Sequence, residues 1–349
     1  MRIPAKSKQA HEANLLVKGL QAYFVTKLNA VALEYGEGKS CEEVTWERDN
    51  GKHGGGVRYE ARDEAIFNRG SVNISQVHYD DDPEKKLGSA TAISTIIHPS
   101  NPHAPSMHMH ISWTEMKDGS GYWRIMADLN PSILSESPFD KKAFSDMLES
   151  VTGKHYEEGT KQGDRYFNIP VLERHRGVSH YYLEGYNSGN FEKDKKFAKE
   201  VGEAVIDRYI TNISKKIAGF TTITDADKQE QLDYHTLYLF QVLTLDRGTT
   251  SGLLVHDQND VGIMGSIPSH VNRELLKTWI EKMPKPQDEL VKALLKALPN
   301  KMPTPVDEKT KKALAQAVRK HYIKYPQALH MQASGNIVPP TVDNHITKA

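Results

Sequence analysis

The chain is short of sulfur, of net charge and of long apolar runs, and each shortage removes a class of function. A single cysteine, Cys41, among 349 residues excludes an intrachain disulfide and any thiolate-rich metal or iron–sulfur site. A reducing compartment, the cytoplasm, is the expectation. No apolar stretch reaches the roughly 18 residues of a spanning helix, so no integral membrane segment is expected. The N-terminus has a few basic residues but neither an apolar core nor a cleavage site, so no secretory signal is read. Forty-five Lys and Arg balance 45 Asp and Glu. No global basic field exists to hold nucleic acid, and an anionic ligand must be met by local arginines. The remaining composition, 38% hydrophobic and 26% charged, is that of a globular protein of one large or two smaller domains.

What is present is periodicity. Leu16, Leu20, Phe24, Leu28 and Val31 predict a long amphipathic helix over 8–36 that packs on a sheet. From about 57 to 130 the period switches to two: Met107, Met109, Ile111 and Trp113 alternate with Ser106, His108, His110, Ser112 and Thr114. Tyr122, Arg124, Met126 and Asp128 share a face by the same rule, as do Ser94 and His98, and short links favour antiparallel neighbours. Helical patterns return at about 138–152 and 191–217. HRGVSHYYLEG reads as a strand entry, and TLYLFQVLTLDRGTTSG as a long strand ending at Asp246, followed by a turn and a second strand, GLLVH. Proline-marked breaks enclose two further helices, about 286–298 and 307–323. The resulting division is a main domain over 1–282 and a helical extension with a tail over 283–349, its last dozen residues loosely ordered.

Chemistry-bearing residues cluster on the alternating strands. His108 and His110 on one strand face, with Asp128 on the next strand, have the composition of a two-His, one-carboxylate metal site, although 16 histidines make an HxH pair ordinary. The Gly54–Gly56 run lacks the GK[ST] ending of a phosphate loop. Asp246-Arg247-Gly248-Thr249 is more informative, because the two charges fall on opposite faces of the expected strand, although a turn with a surface ion pair fits the same residues. By themselves these residues define a polar-faced antiparallel sheet bearing His, Asp, Arg and Asn.

Taken in order, the segments resemble the oxygen-dependent coproporphyrinogen III oxidases of haem biosynthesis. The matching pieces are the glycine run, Phe67-Asn-Arg-Gly-Ser-Val72-Asn73-Ile-Ser75, the stretch Ser94-Thr-Ile-Ile-His98-Pro99-x-Asn101-Pro102-His103-Ala104-Pro105, His108, Trp123 with Asp128-Leu129-x-Pro131, Arg176-Gly177, and Asp246-Arg247-Gly248-Thr249-x-x-Gly252. Order and spacing agree over roughly residues 15–280. The resemblance implies an α+β fold, a large flat antiparallel sheet covered by helices on both faces, and a homodimer. It implies conversion of two propionates of a tetrapyrrole to vinyl groups with dioxygen as co-substrate, no organic cofactor and no assigned metal. It further implies that Asp128 engages the pyrrole N–H groups with Asp246 as partner, that His108 donates a proton, that Arg247 holds a propionate, and that Asn73, Ser94, His98, His110 and Arg124 bind substrate.

The sequence also departs from the family pattern. His110-Ile111-Ser112 stands where an Asn-x-Arg is usual, Met126-Ala127 where a glycine pair is usual, and His256-Asp257-Gln258-Asn259-Asp260 where a Gly- and Arg-containing turn is usual. Arg124 is the expected substitute for the missing arginine, because it shares a predicted face with Asp128. Two alternatives stay open at this point: a tetrapyrrole-binding relative without catalysis, and a metal-dependent oxygenase using the histidines.

Overall fold

The computed structural model describes residues 2–335 and residue 342. Seven strands form one antiparallel sheet in chain order: β1 (Glu42–Glu47), β2 (Gly54–Glu60), β3 (Phe67–His78), β4 (Leu87–Pro99), β5 (Ser106–Met116), β6 (Gly121–Asn130) and β7 (Ser179–Tyr186). Ten helices are seen among the described residues: α1 (Lys8–Tyr35), α2 (Ser137–Thr152), α3 (Tyr156–Phe167), α4 (Phe191–Gly219), α5 (Asp225–Thr244), α6 (Arg247–Val255), α7 (Asp260–Ile263), α8 (Arg273–Thr278), α9 (Gln287–Ala297) and α10 (Glu308–Lys324). The α+β class and the sheet predicted over 57–130 are therefore as expected.

The pleat assigns the two faces. Met107, Met109 and Ile111 of β5, Ile125 and Ala127 of β6 and Ile93 of β4 all point into one apolar core shared with Leu20, Phe24 and Leu28 of α1, Phe144 of α2 and Val201, Val205 and Tyr209 of α4. The opposite face carries the alternate, polar residues and is covered by a second core built from α5, α6, α9 and α10. α3 lies along β7, and two glycines set how closely: a Cβ on Gly159 would stand 2.1 Å from the Tyr181 ring, and one on Gly163 would stand 2.8 Å from the Tyr181 nitrogen.

One expectation is corrected, and two further segments, α3 and the glycine run, take structures that the periodicity does not assign. Residues 236–255 are not two strands but the end of α5 and all of α6. Every residue from Tyr234 to Thr244 is buried, so this run is enclosed all round and shows no 3.6-residue stripe, while its aromatic and β-branched content imitates a strand. Helix α3, which no apolar pattern announced, forms instead on its glycine contacts. The Gly54–Gly56 run is the start of β2, where a Cβ on Gly56 would stand 2.5 Å from the Trp46 indole nitrogen.

The helices expected at 286–298 and 307–323 are present as α9 and α10, and Leu290, Leu294, Leu314 and Val318 share one core with Leu239 and Phe240 of α5. The expectation for the last dozen residues falls outside those described, save Val342.

Candidate active site

Register places the site. Residues directly opposite on adjacent strands share a face, so pairings draw rows of side chains across the sheet. One row runs Ser71, Ile96, His108, Asp128, His180; the next runs Arg58, Asn73, Ser94, His110, Met126, Tyr182; a third runs Ser75, Ala92, Ser112, Arg124. All lie on the face toward α5 and α6. Between them is a cavity of about 310 Å³ to which Asn73, Ser94, His108, His110, Arg124, Asp246 and Arg247 contribute. Seven of the nine residues expected to act on substrate thus converge on one space.

The two that do not reach it are Asp128 and His98. Asp128 is fully buried and its carboxylate is saturated: Oδ1 accepts from His108 Nδ1 at 2.9 Å, and Oδ2 accepts from Arg176 Nη2 at 2.8 Å and Asn130 Nδ2 at 2.5 Å. Burial alone would raise its pKa, but the Arg176 guanidinium and the His108 and Asn130 hydrogen bonds hold the carboxyl far below the usual range. Asp128 therefore reaches the cavity only through His108, which differs from the expectation that it meets pyrrole N–H groups directly. The reason is Arg176, itself buried between the rings of Phe167 and Tyr238 and donating its other arm to Gln241.

His98 is wholly enclosed. Its Nε2–H donates to the Ser266 carbonyl at 3.1 Å, Ser106 Oγ donates to Nδ1 at 2.8 Å, and Tyr234, His235 and Tyr238 surround the ring. Burial, helped by neighbouring His235 and Arg176, holds it in the neutral form. His110 is half-buried on the cavity wall, with Nε2 3.0 Å from Ser112 Oγ, and desolvation beside Arg124 and His108 pushes its pKa down to about 3. Among the described residues no group of three or more His, Cys, Asp or Glu is arranged to hold a metal.

The opposite wall is the start of α6. Asp246 is its N-cap, accepting from the Thr249 nitrogen at 2.7 Å on one oxygen and from the Tyr166 hydroxyl at 2.8 Å on the other. Arg247 follows at the first helical position and donates to Glu184, whose carboxylate also accepts from Tyr182 at 2.6 Å and lies 3.8 Å from Arg124 Nε. Neither Glu184 nor Tyr166 was expected. Glu184 falls on the cavity face of β7 by alternation with Tyr182, a signal present in HYYLEG; Tyr166 sits on the unannounced α3.

Among the buried polar atoms here without a protein hydrogen-bond partner are Arg247 Nη1, a donor, and Asn73 Oδ1, an acceptor. An unmet guanidinium arm and an unmet amide oxygen in one cavity suit a ligand bearing both a carboxylate and N–H groups.

Comparison with known proteins agrees with this geometry. Residues 12–298 match the family model described as coproporphyrinogen III oxidase. An oxygen-dependent coproporphyrinogen-III oxidase of Rickettsia bellii is 33% identical over 239 residues, 65% of this chain and 83% of the relative. The enzyme of that name from Drosophila melanogaster is 28% identical over 308 residues, 81% of this chain and 75% of its own, and the mitochondrial one from Rattus norvegicus is 30% identical over 248 residues, 64% and 55%.

Proposed function

The chain belongs to the coproporphyrinogen III oxidase family, and from that premise we propose that it converts two propionates of coproporphyrinogen III to vinyl groups with dioxygen as oxidant, giving protoporphyrinogen IX in haem biosynthesis. The observation that carries this reading is Arg247 Nη1, a buried cationic donor without a protein acceptor on a cavity wall. A substrate carboxylate completes it, a charge-assisted contact worth about 1.5–3 kcal/mol.

Each conversion balances as propionate plus dioxygen plus one proton giving vinyl, carbon dioxide and hydrogen peroxide. The two electrons released when the side chain loses carboxylate and a Cβ hydrogen reduce dioxygen. The electron-rich pyrrole supplies the reactivity toward oxygen, and the protein's share is orientation, exclusion of water and one net proton. Asn73 Oδ1 and the Asp246 carboxylate are the acceptors for pyrrole N–H groups on the cavity walls. His108, its Nδ1–H held by anionic Asp128, presents Nε2 toward the cavity and is the proton donor to reduced oxygen; Asp128 stabilises the charged imidazole in that role. Asp128 is thus a positioning residue rather than a direct contact. No organic cofactor or metal enters this scheme, and a cytoplasmic homodimer is part of the same proposal.

The test is chelator-treated protein incubated with coproporphyrinogen III in air, with oxygen uptake recorded and porphyrins separated after oxidation. Monovinyl and divinyl products without added metal are expected. Tetrapyrrole binding without oxygen uptake would overturn the catalytic reading in favour of a carrier or sensor of the same ligand.

A further inference from the structure

The C-terminal strap, residues 332–335, lies beyond the family match, which ends at 298, yet it reaches the site. Gln332 donates to Thr250 and Tyr322, the Ala333 nitrogen donates to the Leu245 carbonyl at 2.9 Å, and Ala333 packs on Met126, Tyr166, Phe167 and Tyr182. The Gly335 nitrogen then donates to Glu184 Oε2 at 3.2 Å. Glu184 is the carboxylate that takes up one of the two guanidinium charges of Arg124 and Arg247, through its other oxygen. A side chain here would have to displace that carboxylate: a Cβ on Gly335 would stand 2.7 Å from Glu184 Oε2 and 3.1 Å from Gln162 Oε1.

We propose that the strap is a specificity-determining part of the active site: by holding Glu184 Oε2 it keeps Oε1 on Arg247, which aims the free arm of that arginine at a substrate carboxylate. The proposal rests on the reading of a propionate-bearing substrate above. Without the strap, Glu184 is free to rotate and take both arms of Arg247, so the arginine that recognises the ligand is occupied by the protein's own carboxylate. The strap therefore acts through Glu184 and Arg247 on the acid group of the ligand and leaves the ring contacts alone.

The test uses the full chain with Gly335→Ala, which pushes the strap from Glu184, and Gly335→Pro, which removes the donor. Coproporphyrin III and its tetramethyl ester, the same ring without charge, are titrated by fluorescence. Expected for both variants is coproporphyrin III binding weakened about 10- to 100-fold, the loss of one charge-assisted contact, with ester binding within twofold of wild type and an unchanged melting temperature. Equal losses for acid and ester would mean a general packing role and overturn the proposal, as would unchanged coproporphyrin III affinity. Wild-type protein that binds neither porphyrin overturns the substrate reading and this proposal with it; wild-type binding that the variants retain in full overturns this proposal alone.

Discussion

Replacing Asp128 by asparagine separates charge from shape at the centre of the molecule. The amide oxygen of Asp128→Asn still accepts from His108 Nδ1, but its NH2 then faces Arg176 Nη2 and Asn130 Nδ2, donors against donors. Arg176 is 1% exposed, so its charge is left buried with only Gln241 and two aromatic rings. Removing one partner of such a pair costs about 3–5 kcal/mol. With an unfolding entropy of about 2 cal/mol/K per residue over 349 residues, that is a fall in melting temperature of about 4–7 °C. Turnover should fall further than stability, by about 10² to 10⁴-fold, because the imidazolium of His108 loses its anion. Combining Asp128→Asn with Arg176→Met removes the stranded charge and should recover at least half of the lost melting temperature without recovering turnover. Calorimetry and oxygen uptake at saturating substrate measure the two. A single variant melting within 1 °C of wild type, or a double variant that regains turnover with stability, would refute the assignment of charge compensation to this pair and of proton transfer to the dyad.

Other outcomes follow from the same geometry. Arg247→Gln should raise KM for coproporphyrinogen III by about 10- to 100-fold, the worth of one charge-assisted bond, with the fold kept; an unchanged KM would remove Arg247 from substrate binding. Neutral His98, His110 and His235 have folded pKa values below the ordinary 6.5, the last two at about 3, so the unfolded chain binds more protons and stability falls with pH from 6.5 downward. At pH 5 His235 alone costs about 2 kcal/mol, and urea midpoints at pH 5 and 7 that coincide would contradict its burial. Lys311, buried beside Arg58 and Arg69 with its pKa pushed down to about 8, disfavours its charged form at neutral pH. Lys311→Met should therefore stabilise the protein by about 2–3 kcal/mol at pH 7, with the gain shrinking as pH rises from 8 to 10.5; a destabilised variant would mean that the ammonium has a favourable partner.

The sheet and its cavity face were legible because alternation is a direct image of the pleat: knowing that Met107, Met109 and Ile111 face a core is knowing that His108 and His110 do not. The same rule placed Arg124 with Asp128 and, applied to HYYLEG, would have found Glu184. Helix α5 was illegible for the opposite reason. Burial on every side from Tyr234 to Thr244 erases the stripe that identifies a helix, so the Asp246–Arg247 step reads as a strand end although it is a helix start on the cavity wall. What no spacing could show is which carboxylate is consumed by the protein. That is decided by Arg176, which arrives from the chain just before β7 and covers Asp128.

The two faces of the sheet also partition what drift can change. Odd-numbered positions of β5 carry the fold and even-numbered ones carry recognition, so His110, Ser112 and Met126, three of the positions that the resemblance marks as departures, fall on the face where substitution alters ligand fit and leaves the apolar layer intact. One residue along the chain, the same mutation rate meets a close-packed core that tolerates little. A meander with one dry and one wet face thus lets a lineage explore new tetrapyrroles at nearly constant stability, and divergence should accumulate along each strand with a period of two.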